Sequence, residues 1–178
     1  MRKLTLYTAA TLDGFIAGPN GELDWLDVAS ADPDHPDDYG YGAFMETIDT
    51  TLSGTATYEL AAGFTDDPYP GMINYVFTRK LPPPADVGVW RFVTGDIAAF
   101  TRGLKAESGA GIWLVGGGQI NTIMLNAGLI DEMIVTLFPI VLGEGVPLFA
   151  PGAAKANLTT VSSHTYTNGL VQWTMARG

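Results

Sequence analysis

The sequence predicts an α/β protein of three layers, with helices on both faces of a mixed, mainly parallel sheet and an antiparallel hairpin at its C-terminal end. Two observations predict it. From residue 48 onward, short apolar strand-like runs alternate with stretches of helical period, the pattern of strand–helix–strand units. Near the end, two β-rich runs, "LTTVSSHTYTN" and "LVQWTMAR", flank Asn168-Gly169, a strong short-range hairpin signal. With 178 residues and no repeat, linker or low-complexity segment, one domain spanning 1–178 is expected.

"KLTLYTAA" suits a first strand, with Leu4 and Leu6 in alternation. "TLDGFIAGPNGELDWL" is punctuated by Gly14, Gly18, Pro19, Asn20 and Gly21 and reads as turns. "ASADPDHPDDYGYG" is acidic with two prolines, a surface loop, and a helix is expected in "AFMETI". "TTLSG" is a strand ending at Gly54, and "TATYELAAGF" is a helix entered through threonines. "MINYVFTR" and "VGVWRFV" are strands separated by the breaker "LPPPAD". "DIAAFTRGLKAES" has the helical period, with Asp96 placed as its N-cap. "GIWLVGGG" then gives a strand, "QINTIMLNAG" a helix and "DEMIVTLFPIV" a long strand.

Composition removes several function classes. There are no cysteines, which excludes disulfides, thiolate nucleophiles and cysteine-ligated zinc. A net charge of −10 with only nine Lys and Arg argues against nucleic-acid binding, which needs a basic surface. No apolar stretch reaches the ~18 residues of a membrane span. "MRKLTLYTAATLDGFIA" starts basic, yet its apolar part is studded with threonine and meets Asp13, so it reads as a strand rather than a signal peptide. A cytoplasmic location is the expectation, without membrane or nucleic-acid partners.

No His/Asp cluster has metal-ligand spacing, so no metal is expected: His35 falls in a solvated acidic loop and His164 in a late strand. No Gly-x-Ser-x-Gly elbow points to a hydrolase.

Ligands of such sheets bind beyond the carboxyl ends of the strands. The turns to inspect are Leu12-Asp13-Gly14, Ser53-Gly54-Thr55, Thr78-Arg79 and Gly116-Gly117-Gly118. At the triple glycine, two readings stand. The glycines serve a tight turn with positive φ, or they leave backbone amides at a helix start bare for an anion. The spacing is neither the Rossmann fingerprint nor a P-loop. "SGTATYEL" repeats the arrangement, and two such openings in one sheet suit the two halves of a dinucleotide.

Taken together, "TLDGFIAGPNGELDW", "SGTATYE", "VFTRKL", "VGGGQI", "GLIDEMIVTLFPIVLGEGVPLF" and "YTNGLVQW" resemble, in order, the dihydrofolate reductase-like superfamily, in the branch of the riboflavin-biosynthesis reductase domain. The resemblance spans the chain and implies that fold. It also implies an NADPH-preferring reductase that passes hydride to a small heterocycle of the pyrimidine or pterin type, in a homodimer. Within "VGGGQI", Gly116, Gly117, Gly118, Gln119 and Ile120 match the loop that cradles the cofactor diphosphate. Gly54, Thr55 and Thr57 match the other helix start, whose hydroxyl reaches phosphate. Thr78 and Arg79 match the adenosine side, where a cation faces the 2′-phosphate, and Ala17 matches the nicotinamide end.

Asp13 is the expected catalytic residue, a carboxyl at the end of the first strand able to relay a proton or anchor an aminated ring; alternatively it makes an Asx turn before Gly14. Asp24 and Trp25 are expected as a flap or a loop anchor, Asp131 and Glu132 as architectural residues, and "FPIVLGEGVPLF" as a border of the substrate pocket. True dihydrofolate reductases carry their acid on a helix after the tryptophan turn. "LDVASADPDHPDD" gives no helical match, so folate is not the expected substrate. Another departure is Thr55, where the family commonly has an arginine that holds cofactor phosphate. It leaves open a non-catalytic small-molecule binder on the same fold, and a second rival keeps the enzyme but changes the cofactor to a flavin or deazaflavin. The late apolar strands "IVTLFPIV" and "LVQWTMA" are expected to supply the dimer interface.

Overall fold

A computed structural model describes residues 1–27, 38–81 and 83–178. One eight-stranded sheet, in the order β5-β4-β3-β6-β1-β7-β10-β9, organises the chain. It is built from β1 (Leu4–Thr11), β3 (Ile48–Gly54), β4 (Ile73–Phe77), β5 (Trp90–Val93), β6 (Gly111–Gly116), β7 (Glu132–Phe138), β9 (Leu158–Thr165) and β10 (Val171–Arg177). The pairings from β5 across to β7 are parallel, while β10 runs antiparallel to both β7 and β9. The expected architecture is therefore the one observed: mixed, mainly parallel, closed by an antiparallel hairpin.

Among the described residues the α-helices are α1 (Tyr41–Met45), α2 (Thr55–Phe64), α3 (Ile97–Ala106) and α4 (Gly118–Asn126), with a 3-10 turn at Asp24–Leu26. Strand alternation splits the apolar residues between two cores. Leu4, Leu6, Leu52, Ile112 and Leu114 join Leu104 of α3 and Met124 of α4. Trp113 joins Phe44 of α1, with Tyr7 and Val115 packed against that cluster. Asp96 caps α3 as expected, accepting from the Ala99 amide at 2.9 Å.

Several boundaries differ from the sequence reading. The turn-rich stretch after β1 contains a short strand, β2 (Phe15–Ala17), which pairs antiparallel with β8 (Val146–Pro147). Strands this short leave no readable alternation. The acidic loop over 29–42, with His35, falls mostly outside the described residues; its last two, Tyr41 and Gly42, open α1 instead. "VGVWRFV" yields strand only from Trp90, because Val87 and Trp90 close a turn on each other. The Asn-Gly hairpin forms with its turn at Tyr166–Gly169: the Gly169 amide donates to the Tyr166 carbonyl at 3.0 Å, with Gly169 at φ +86°. Only the glycine needs the left-handed region there, as in a three-residue hairpin loop.

Buried cations lock the amino-terminal side of the sheet. Lys105, at the end of α3, donates to the Leu129 carbonyl at 2.7 Å and pairs with Asp131, whose carboxylate accepts from the Leu4 amide at 2.7 Å. Arg2 pairs with Asp49 and reaches the Thr50 hydroxyl and the Ala110 carbonyl. Glu132 pairs with Lys3 at 2.6 Å. Asp131 and Glu132 are thus architectural, as expected. Among the described residues, no helix is long and apolar enough to cross a membrane.

Candidate active site

The carboxyl ends of β1, β3, β4, β5 and β6 open onto one cavity of about 1340 Å³. Pockets for a single small molecule run to roughly 300–1,000 Å³, so this volume suits two ligands side by side.

Two helices start at its wall. The N-cap of α2 is Gly54 and that of α4 is Gly117, and neither helix start has a side-chain cap. Their first-turn amides therefore lack intrahelical and side-chain acceptors and carry the positive end of each dipole. The three glycines at the junction, Gly116 ending β6, Gly117 between, and Gly118 opening α4, have separate reasons to be glycine. Gly116 sits at φ +106°, and a Cβ there would lie 3.0 Å from the Asn121 side chain. At Gly118 a Cβ would lie 2.1 Å from the Pro147 carbonyl oxygen, so close approach of β8 demands its bareness. Gly117 is different: a Cβ would meet Ile16 and Thr57 at 3.6 and 3.7 Å, ordinary contact. Its backbone at φ −81° is also open to other residues. No atom of the described residues requires glycine at 117; a ligand lying on that backbone would. The Gly116–Gly117 peptide bond is cis.

Of the residues expected at a cofactor, the cavity is lined by Ala17, Gly54, Thr55, Thr57, Thr78, Arg79, Gly117, Gly118, Gln119 and Ile120. Gly116 does not line it and holds the turn from behind, against Asn121. The Thr55 hydroxyl donates to the Phe77 carbonyl at 3.3 Å, tying α2 to β4. Thr57 makes no side-chain hydrogen bond among the described residues, so its hydroxyl is available at the cavity wall. Thr78 accepts from the Lys80 amide at 3.2 Å, and Arg79 is exposed and without an ion pair among the described residues.

Asp13 requires a correction. It does not line the cavity but stands exposed on the turn after β1. Its carboxylate accepts from the Thr11 hydroxyl at 2.6 Å, the Gly143 amide at 2.7 Å and the Leu142 amide at 3.3 Å. The Thr11 hydroxyl, then the two amides, hold its carboxyl below the usual range. That is a clamp between two loops rather than a group facing the cavity, and the Asx turn expected as the alternative does not form either, since the Phe15 amide donates to the Thr11 hydroxyl at 3.0 Å. The clamped loop reaches the cavity through Val146.

The sequence reading missed the aromatic wall. Tyr7, Tyr41, Tyr69 and Trp113 line the cavity, with Tyr69 and Tyr41 edge-on to the Trp113 ring at 5.1 and 5.7 Å. Tyr7 of β1 and Trp113 of the neighbouring β6 meet across the sheet, while Tyr41 of α1 and Tyr69 of the loop before β4 fold onto them, so no local signal joins the four. Thr94 and Gly95, after β5, also line it; the strand-end rule that picked out the other turns applies equally to them. Trp25 packs edge-on against Phe138 at 5.0 Å and anchors its loop while lining the cavity.

This geometry has relatives. The family model of the RibD C-terminal domain matches residues 2–172. The uncharacterized protein YwjB of Bacillus subtilis is 40% identical over 149 residues, covering 83% of each chain. The crystal structure of a putative riboflavin biosynthesis protein from Shewanella sp. PV-4 superposes with a TM-score of 0.83 at 30% identity, covering 100% of this chain and 99% of that one. Dihydrofolate reductase from Enterococcus faecalis, solved with NADP(H), shares the fold with a TM-score of 0.69 at 17% identity, covering 99% and 96%. A reductase-type fold of dihydrofolate reductase architecture is thus shown, and the chain belongs to the RibD C-terminal domain family.

Proposed function

We propose that the protein is an NADPH-dependent reductase that acts on a small heterocyclic substrate of the pyrimidine or pterin type. One observation carries the reading: two uncapped helix starts, at Gly54 and Gly117, open on one cavity roomy enough for a cofactor and a substrate together. The residues present fit a dinucleotide. Among the described residues, Gly117 offers a bare backbone that no contact requires, Thr57 a hydroxyl without a partner, and Arg79 a cation without an ion pair after β4. Against a chain of net charge −10, these are the local features that draw an anion. Bound there, NADPH would supply a hydride; the chain's own work is to orient two rings and keep water away.

Thr55 in place of the family arginine supports a looser cofactor grip, since its hydroxyl is engaged with Phe77. That observation keeps the non-catalytic binder as the second reading. The test is a calorimetric titration with NADPH and NADH, followed by loss of reduced-nicotinamide absorbance with pyrimidine and pterin substrates. Micromolar NADPH binding with turnover supports the reductase; binding without turnover of any substrate supports the binder; no binding removes the nicotinamide assignment.

A further inference from the structure

Reduction by hydride needs a proton as well, and Asp13 is turned to the 142–143 loop instead of the cavity. Most other proton-bearing side chains of the lining are already engaged. Tyr7 donates to the Tyr39 carbonyl at 2.9 Å and Thr8 to the Ala9 carbonyl at 3.1 Å. The Trp113 indole donates to the Tyr7 carbonyl at 3.0 Å, and the indole N–H of Trp25 is buried away from solvent. The remaining threonines and Gln119 stand at the helix starts and strand ends proposed for the cofactor. Glu59 and Arg79, the charged residues of the described lining, are exposed and lie on α2 and past β4.

Two phenols remain. Tyr41 of α1 and Tyr69, in the loop before β4, are half-buried in the lining. Each hydroxyl is open to solvent and makes no hydrogen bond among the described residues. Their rings stand edge-on to Trp113 at 5.7 and 5.1 Å, and Tyr69 also meets Trp90 at 6.3 Å. Ring packing holds both side chains, which leaves each hydroxyl to donate to a ligand. Burial pushes Tyr69 up to about 12, with Tyr41 nearby adding to the shift, and burial raises Tyr41 as well. Both phenols therefore keep their protons at neutral pH. The strand that carries Trp113, β6, runs directly into the Gly117 turn, so the pair borders the place proposed for the cofactor.

We propose that Tyr69 is the proton donor of the reduction, its hydroxyl bonded to the nitrogen of the C=N bond being reduced, with Tyr41 as a second donor beside it. The inference rests on the reductase reading and adds the acid that the reaction needs. In that step the substrate carbon gains a C–H bond from the hydride of NADPH, which is oxidised to NADP⁺. The C=N π pair passes to nitrogen, which forms an N–H bond with the Tyr69 proton as the phenolic O–H bond breaks. The Tyr69 phenolate then takes a proton back from water.

The test uses two probes: 6-methylpterin for calorimetric binding, and 6-methyl-7,8-dihydropterin, which presents a reducible C=N bond, for turnover with NADPH. Tyr69→Phe keeps the ring against Trp113 and removes only the hydroxyl. It should weaken 6-methylpterin about five-fold, the worth of one hydrogen bond, and raise KM for the dihydropterin by a similar factor. Its kcat should fall by ~10²-fold or more, the usual contribution of a positioned acid. Tyr41→Phe should lower both by less. NADPH affinity and the urea midpoint should stay as in the parent for both variants, which a merely structural role would not allow. A parent protein that does not bind 6-methylpterin overturns the proposal, as does a Tyr69→Phe variant that binds it equally well. A kcat that survives Tyr69→Phe overturns the proton-donor role. If Tyr69→Phe weakens 6-methylpterin but the parent neither binds NADPH nor reduces the dihydropterin, the reductase reading and the proton transfer fall while the hydroxyl contact stands.

Discussion

At the scale of single residues, the three glycines at the junction of β6 and α4 separate folding from binding. An alanine at 118 would drive its Cβ to 2.1 Å from the Pro147 carbonyl oxygen, which is backbone and cannot swing aside. Gly118→Ala should therefore cost about 1–3 kcal/mol of stability, read as a lowered midpoint in urea unfolding. Gly117→Ala meets only ordinary contacts. It should leave that midpoint unchanged while weakening NADPH about ten-fold or more, because a methyl group would stand where the proposed site would take the diphosphate. If both variants bind NADPH as the parent does, the turn is packing alone. Asp13 gives the opposite kind of prediction. Its carboxyl is held low by the Thr11 hydroxyl and then by the Gly143 and Leu142 amides. A group with a depressed folded pKa contributes above its unfolded pKa, and that contribution disappears as pH falls through the folded value. The protection of the Leu142 and Gly143 amides, with exchange corrected for its intrinsic pH dependence, should therefore fall in acid more than protection elsewhere, and Asp13→Asn should produce the same loosening at neutral pH. Turnover of a responsive substrate should fall by much less than the ~10²-fold expected from a lost proton donor. A larger loss with unchanged exchange would return Asp13 to the chemistry.

At the scale of elements, the start of α2 decides how tightly an anion is held. Thr55 lines the cavity but spends its hydroxyl on the Phe77 carbonyl. Thr55→Arg would give up that bond and place a guanidinium at an otherwise uncapped helix start. Charge-assisted contacts of this kind contribute roughly 1.5–3 kcal/mol, so NADPH should tighten by about ten- to a hundredfold, and NADH less if the guanidinium reaches the 2′-phosphate. Arg79→Ala should do the reverse and cut the preference for NADPH. Both effects should shrink with added salt, since exposed charges are screened; affinities indifferent to either substitution would place the cofactor elsewhere. These turns were legible in the sequence because strand ends, glycines and hydroxyls are local signals. The same local signal overstated Asp13: Asp-Gly after a strand marks the turn, but whether the carboxylate faces a cavity or a neighbouring loop depends on residues 142 and 143, far along the chain. The pairing of β2 with β8 was illegible for a related reason. It is three residues against two, and its register comes from the tertiary path of the loop after β7.

At the scale of the whole molecule, the two edges of the sheet differ. On one side lies β5, only four residues long, beside a loop carrying Asp86, whose carboxylate stands 3.7 Å from Arg91. Short strands and charge discourage edge pairing. On the other side lies β9, eight residues long and exposed throughout. Val161 is 62% exposed, Leu158 38% and Trp173 of the adjoining β10 40%. Val161 falls where the β9–β10 register slips, since Thr174 pairs with Ser162 and Met175 with Thr160. The sequence argument for a dimer also counted "IVTLFPIV", but β7 lies between β1 and β10 and spends its apolar residues within the sheet; past its end, Val141 is 67% exposed. What remains is the hairpin, and it is enough to motivate the expectation. A long, exposed edge with three large apolar side chains is unusual in a lone subunit and suits a second copy of the chain. A homodimer is therefore expected through β9 and β10, with light scattering at micromolar concentration giving twice the chain mass of 18.9 kDa. Val161→Lys should shift that mass toward the monomer while leaving NADPH affinity unchanged, because Val161 does not line the cavity. Unaltered mass in Val161→Lys would move the interface off this hairpin, and a monomeric parent protein would leave the edge open by design of its threonine- and serine-rich strand rather than by pairing.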